Sequence, residues 1–267
     1  MVYFVATPIG NLQDITYRAI ETLKNADVIF CEDTRHTLKL LNAYDIKKPL
    51  FSCHKFNERE ASERILQASR NGQTVAVVSD AGTPVVSDPG NIVCQTLKEA
   101  GEKYTLIPGA CAFVAGLVLS ALPADKFAFI GFLPDKTGEK RAVLEKYKNC
   151  DLTLLFHCAP QDIDKTVAIM YEVFGERQAV VVREITKLHE ESVPFMLSQG
   201  YTGEKRGEFV LVVEGAKEQS SPLNALTEKE HILHYIAQGL DKKEALKRVA
   251  KDRGVSKSAL YPFSIDL

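Results

Sequence analysis

Ser79-Asp80-Ala81-Gly82-Thr83-Pro84-Val85-Val86-Ser87-Asp88-Pro89-Gly90 follows directly on Thr74-Val75-Ala76-Val77-Val78. The apolar, β-branched run reads as a strand buried on both faces, the pattern of a central strand in a parallel sheet. The stretch after it is then a loop at a strand's carboxyl end, the edge where open α/β sheets place their ligands. Gly82 and Gly90 permit backbone conformations closed to other residues, Pro84 and Pro89 stiffen the path, and Asp80 and Asp88 bring charge that a plain connection does not need. Asp-Ala-Gly and Asp-Pro-Gly are also ordinary turn sequences, so the weight of this loop depends on its neighbours.

Those neighbours repeat the pattern. Val2 to Ala6 reads as a strand, followed by Thr7-Pro8-Ile9-Gly10-Asn11 and a helix expected to start near Asp14. This turn lacks the G-x-G-x-x-G spacing of a dinucleotide fingerprint. Val28 to Cys31 is a second strand running into Glu32-Asp33-Thr34-Arg35-His36-Thr37, and Leu50 to Cys53 a third, ending in His54-Lys55-Phe56-Asn57-Glu58. Tyr104 to Ile107 leads to Pro108-Gly109-Ala110-Cys111-Ala112 and an apolar helix from Phe113 to about Leu122. Strands alternating with helices imply a parallel sheet with helices on its faces, assigned to residues 1–122.

Beyond Leu122-Pro123-Ala124-Asp125, strands over Phe127 to Phe132, Leu152 to Phe156, Ala179 to Val182 and Phe209 to Val213 alternate with two helices, giving a second α/β domain over residues 123–217. Glu190 to Arg206 shows no clear period and stays unassigned. The ligand cleft is expected between the two domains. From Glu218 the chain turns polar, with a linker signature at Ser220-Ser221-Pro222. A helix-turn-helix-like module over residues 223–267 follows, in which Ala250, Gly254 and Leu260 have the spacing of a helix-crossing core.

The formal net charge is −2, so no global basic excess marks a nucleic-acid binder. Locally, Lys242, Lys243, Lys247, Arg248, Lys251, Arg253 and Lys257 stand against Asp241, Glu244, Asp252 and Asp266, seven cations to four anions over residues 240–267. That patch reads equally as a nucleic-acid contact or a solvated helical face. The six cysteines have no C-x-x-C pair and no framework spacing, which favours a reducing cytoplasm over a zinc ribbon or disulfide scaffold. His231 and His234 are three apart on a helix without a third ligand, so no metal is expected. The chain carries no export-signal pattern and no run approaching the ~20 apolar residues of a membrane helix. Nucleophile elbow, Walker loop, zincin pair and kinase signatures are all missing from the sequence. Glycine loops with carboxylates suit instead a ligand with a cationic or adenosine-like part.

Taken together, Thr7 to Leu12 with Asp14-Ile15-Thr16, Glu32 to Arg35, His54 with Asn57-Glu58, Ser79 to Gly90, Pro108-Gly109, Gly131 to Pro134, Arg183-Glu184-Ile185-Thr186-Lys187 and Gly207-Glu208 resemble, in order, the rRNA-modifying members of the tetrapyrrole methylase-like, class III methyltransferases. The resemblance runs from residue 1 to about 260. It implies S-adenosylmethionine as methyl donor, 2'-O-methylation of a cytidine in 16S ribosomal RNA of the 30S subunit, a homodimer, and no membrane. It also implies donor contacts from Pro8, Asp80, Ala81, Gly82, Val85, Cys111, Ala112 and Ile185. A catalytic base, if the reaction uses one, is sought among Glu32, Asp33, Glu58 and Glu184. Arg35 and Lys187 become phosphate or oxyanion partners, and Lys243, Lys247, Lys251 and Lys257 RNA contacts.

Two stretches depart from the family pattern. His157-Cys158-Ala159-Pro160-Gln161-Asp162 stands where a Tyr-Glu-Ser-Pro-His-Arg-like run is usual, and Glu191-Ser192-Val193-Pro194-Phe195 lacks the usual Arg-Gly. The first of them supports a non-catalytic ribosome-binding relative as an alternative; against the other alternative, a tetrapyrrole C-methyltransferase, count a first loop without Gly-x-Gly-x-Gly-Asp and the basic helical tail.

Overall fold

Five of the expected strands form one all-parallel sheet in the computed structural model, which describes residues 1–217 and 222–264. Along the chain run β1 (Val2–Val5), α1 (Tyr17–Asn25), β2 (Val28–Cys31), α2 (Thr34–Ala43), β3 (Leu50–Ser52), α3 (Glu58–Arg70), β4 (Val75–Val78), α4 (Asn91–Glu99), β5 (Tyr104–Ile107) and α5 (Ala112–Ser120). The strand order is β3-β2-β4-β1-β5. All four β4 residues are buried at the centre, because alternate side chains feed two separate cores. Val75 and Val77 pack with Ile65, Val93 and Leu97 of α3 and α4, while Ala76 and Val78 pack with Ala19, Leu23 and Leu41 of α1 and α2.

The first helix starts later than its sequence indicates. Asn11 caps a short 3-10 turn over Leu12–Asp14, and Thr16 then accepts from the Ala19 N–H to open α1. The hydroxyl cap so close to a residue that already looked like a helix start explains the shift. Gly101 at φ +69 ends the α4 segment in the left-handed conformation expected of it.

The second sheet is mixed, with order β6-β7-β10-β8-β9. It comprises β6 (Phe127–Phe132), α6 (Thr137–Glu145), β7 (Thr153–Cys158), α7 (Ile163–Phe174), β8 (Gln178–Arg183), β9 (Glu191–Met196) and β10 (Phe209–Val213). β6 and β7 are parallel, whereas β10 runs antiparallel to both β7 and β8. β9 occupies part of the stretch left unassigned. It is an edge strand, where Pro194 removes no hydrogen bond the sheet requires, and proline and serine there hide the usual alternation.

The sequence boundary at 122/123 falls inside a single compact unit, Met1–Gly215. The apolar helix α5 packs on the second sheet, with Leu117 against Leu155, Val180 and Val212. Gly116 makes that approach possible, since a Cβ there would come within 2.6 Å of Val210.

Ala216–Leu267 is the other compact unit. Here α8 (Glu228–Ala237) opens on a Thr227/Glu230 capping box, followed by α9 (Lys242–Arg253), which ends at Gly254 with φ +63. Ser256 caps α10 (Lys257–Leu260). Ile232, Leu246, Val249 and Leu260 form its core. The linker expected at 218–221 lies outside the described residues, as does Asp266. His231 is fully buried, its Nδ1 accepting from Arg253 at 3.2 Å and its Nε2 3.3 Å from Asp252, so it serves this small core.

Candidate active site

Adjacent central strands β1 and β4 deliver their loops side by side. Thr7 and Gly82 exchange both backbone hydrogen bonds, at 2.9 and 3.0 Å, and the buried Thr7 hydroxyl donates to the Ser79 carbonyl. Thr83 donates in turn to the Ala110 carbonyl at the foot of α5. Three loops are thereby tied around one cleft of about 490 Å³, inside the range of about 300–1,000 Å³ that small-molecule sites occupy.

Ala81, Gly82, Cys111, Ala112 and Ile185, all expected to touch the donor, line this cleft. Pro8, Asp80 and Val85 do not; Ile9, Thr83, Val86, Ser87 and Asp88 take their places. The reason is backbone geometry. Val85 has φ +78, a left-handed value that a β-branched residue adopts only under constraint, and Ser87 follows at φ +67. The turn sends the Val85 side chain into the first sheet's core and against Gly90, where a Cβ would sit 2.8 Å from its Cγ2. Asp80 is occupied by accepting the Asp33 N–H at 3.0 Å, which ties the β4 loop to the β2 loop.

None of Asp33, Arg35, Glu58 and Glu184 lines the cleft. Asp33 caps α2 and holds the Arg35 guanidinium through two contacts, at 2.7 and 3.1 Å, so its carboxyl lies far below the usual range. Arg35 itself is exposed. Glu58 is buried, its Oε1 accepting from both Gly90 N–H and Ile92 N–H at 2.8 Å, which makes it a cap for α4. Asn57 likewise builds its own loop, accepting from His54 N–H and donating to Ser52.

Glu184 belongs to a junction that sequence alone split apart. Lys187 Nζ donates to Glu184 Oε1 at 2.9 Å and to Glu208 Oε2 at 3.0 Å, and the Glu208 N–H donates back to Glu184 Oε1 at 2.9 Å. The lysine hydrogen bond leads in holding the Glu184 carboxyl below its ordinary value. For Lys187, burial opposes the charge, but the two carboxylates outweigh it and raise the ammonium. The Lys187 stem crosses Gly10, where a Cβ would lie 2.6 Å from its Cγ, and Glu184 crosses Gly207, where one would lie 2.3 Å from Oε1. Thr186 adds a hydroxyl contact to Asp14. Glu184 and Thr186, like Val85 and Ser87, have positive φ, so strain gathers on the two loops that face each other across the cleft.

The second sheet contributes residues to which sequence reading gave no role: Phe132, His157, Cys158 and Glu208 line the cleft. Their signal was position, each at the end of an apolar strand. Burial lowers the His157 pKa despite the nearby Glu208 charge, and pushes the Cys158 thiol up to about 11. Burial, with Asp80 beside it, also raises Asp88. Lys243, Lys247 and Lys251 are exposed on α9 and Lys257 half-buried on α10, within the other compact unit.

The tetrapyrrole (corrin/porphyrin) methylase family model matches residues 1–199. A ribosomal RNA small subunit methyltransferase I of Bacillus subtilis is 41% identical, over 98% of this chain and 92% of that protein. The protein of that name from Halalkalibacterium halodurans is 44% identical, over 97% and 93%. Among solved structures, the methyltransferase CobJ superposes with a TM-score of 0.62 at 18% identity, covering 80% of this chain and 94% of that one. The uroporphyrin-III C-methyl transferase of Thermus thermophilus, complexed with S-adenyl homocysteine, gives 0.56 at 19% identity over 79% and 96%. Tied glycine loops, a cleft bordered by both sheets and near-full-length identity to methyltransferases place this chain in the tetrapyrrole methylase family, alongside the ribosomal RNA small subunit methyltransferases I.

Proposed function

We propose that this chain transfers a methyl group from S-adenosylmethionine to the 2'-hydroxyl of a cytidine in 16S ribosomal RNA, acting on the 30S subunit in the cytoplasm as a homodimer. The observation that carries the reading is the cleft itself, whose residue types suit the donor. Ala81, Gly82 and Ala112 leave room for a nucleoside against the backbone. Asp88 brings negative charge toward a sulfonium and an ammonium. α5 starts at Cys111 on the cleft wall, so the positive end of its dipole favours a donor carboxylate there. Identity to proteins named for ribosomal RNA supports the acceptor, and no described helix is long and apolar enough to cross a membrane.

S-adenosylmethionine supplies a methyl on a positively charged sulfur; the ribose oxygen takes the carbon, the C–S pair leaves with sulfur, and the hydroxyl proton passes to water or a carboxylate. The displacement is in line, so holding the oxygen opposite the sulfur supplies much of the rate. Glu184 is a poor base while it binds Lys187, and Asp33 and Glu58 are engaged in caps, so Asp88, with its raised pKa, is the better-placed acceptor. The exposed lysines of α9 give the terminal unit a face for phosphates.

Methyl transfer from labelled donor to 30S subunits lacking the modification, followed by nuclease digestion and mass spectrometry, is expected to yield a single 2'-O-methylcytidine. Labelled base in place of ribose, or no incorporation with donor binding intact, overturns the acceptor. The homodimer rests on α5, whose outer face leaves Val114, Val118 and Leu119 exposed at 45%, 72% and 38%. Val118→Glu is expected to convert dimer to monomer in analytical ultracentrifugation. An unchanged sedimentation coefficient would show that this face is not the interface.

A further inference from the structure

We propose that Phe132, His157 and Glu208 form a nucleobase subsite at one end of the cleft, selective for a base that presents an exocyclic amine. The inference rests on the RNA methyl-transfer reading and adds to it how the acceptor is recognised.

Strand register brings the three together. Phe132 at the end of β6 pairs with His157 on β7, and Cys158 pairs with Phe209, the residue after Glu208. Phe132 lines the cleft yet is 66% exposed. The His157 ring lies against it at 5.1 Å and 36°, and the rest of its apolar surface is uncovered. Behind it the support is rigid. His157 meets Phe129 edge-on at 5.1 Å, and Phe129 stacks on Phe113 at 4.3 Å and 15°. A flat ring fixed from behind and open toward a cleft is a stacking platform, and stacking on aromatic side chains is how single-stranded bases are held. Burial keeps the His157 ring neutral near neutral pH, so it adds no cation to this wall.

Glu208 supplies the edge recognition. Its Oε2 is anchored by Lys187 at 3.0 Å and its N–H by Glu184 at 2.9 Å, while the side chain remains 77% exposed. An ionised carboxylate only accepts hydrogen bonds. It therefore favours the amino group of cytosine or adenine, and meets the O4 carbonyl of uracil with a lone pair against a lone pair. Glu208 is thus both fixed by its neighbours and exposed to the cleft.

The test uses the full chain and 30S subunits reconstituted with cytidine or uridine at the target position. The wild type is expected to prefer cytidine by about tenfold or more in kcat/KM, the order of one directed base contact. Glu208→Gln is expected to lose about tenfold on cytidine and narrow the cytidine/uridine ratio, because its amide can turn a donor toward O4. Phe132→Ala raises KM for both substrates by about tenfold, and Phe132→Tyr restores it. S-adenosylhomocysteine affinity, measured by calorimetry, stays at the wild-type value in each variant. An unchanged cytidine/uridine ratio in Glu208→Gln overturns the edge contact while leaving the methyl-transfer reading intact. Loss of S-adenosylhomocysteine affinity in Phe132→Ala assigns the rings to the donor and also overturns the proposal. If the wild type methylates neither substrate, the functional reading fails and the subsite falls with it.

Discussion

Replacing Glu58 with alanine is expected to lower the unfolding free energy of the Met1–Gly215 unit by about 3 kcal/mol while leaving turnover, measured well below the melting temperature, within a few-fold of wild type. Both N–H groups that Glu58 receives lie at the start of α4, where the helix dipole favours a negative charge. Alanine leaves those donors without a partner, at about 1–3 kcal/mol for each that stays dry. Glu58→Gln keeps an acceptor oxygen but loses the charge, so about half the loss is expected. Guanidinium midpoints and initial rates separate this from a chemical role. A stable Glu58→Gln whose turnover falls about a hundredfold would return Glu58 to the reaction.

The second large effect is expected at Gly82. Gly82→Val should weaken S-adenosylhomocysteine binding by about a hundredfold, close to 3 kcal/mol, with 30S binding retained. Two costs combine there. The residue has φ +80, which penalises any side chain by about 1–2 kcal/mol. Its Cβ would already sit 3.3 Å from Ile9 and 3.7 Å from the Ala110 carbonyl, so the valine methyls have little room except into the cleft. Gly72, at φ +82 with nothing within 4 Å, isolates the first cost: Gly72→Ala should lose stability and keep donor affinity. Equal donor affinity in Gly82→Val and wild type, by calorimetry, would remove this loop from the donor site.

Much of the first sheet could be read from local pattern. Val75 to Val78 is buried on both faces as its composition demands, and Thr16, Thr227, Ser256 and Gly254 cap or end helices by chemistry carried within a few residues. Gly82, Ala81, Cys111 and Ala112 reached the cleft because they lie in loops at strand ends. At the charged strand ends the structure gives the side chains local partners away from the cleft lining. Asp33, Arg35 and Glu58 satisfy each other or a helix start, an outcome that the same residue types permit equally. Local pattern is also silent on the direction of Val85, which depends on the sign of one backbone angle, and on β9, where an edge proline conceals a strand.

The sequence by itself determined the strands, most helix ends, the glycine turns and the family to which the chain belongs, because these depend on neighbours in the chain or on motifs kept in order. Only the tertiary structure decided that α5 closes the second sheet, that Glu184, Lys187 and Glu208 form one junction, and that Phe132 and His157 open onto the cleft. Such meetings join residues as far apart as Asp14 and Thr186, which are separated by 172 positions. They follow from strand register and antiparallel return, which set side chains face to face and which no local window of sequence contains.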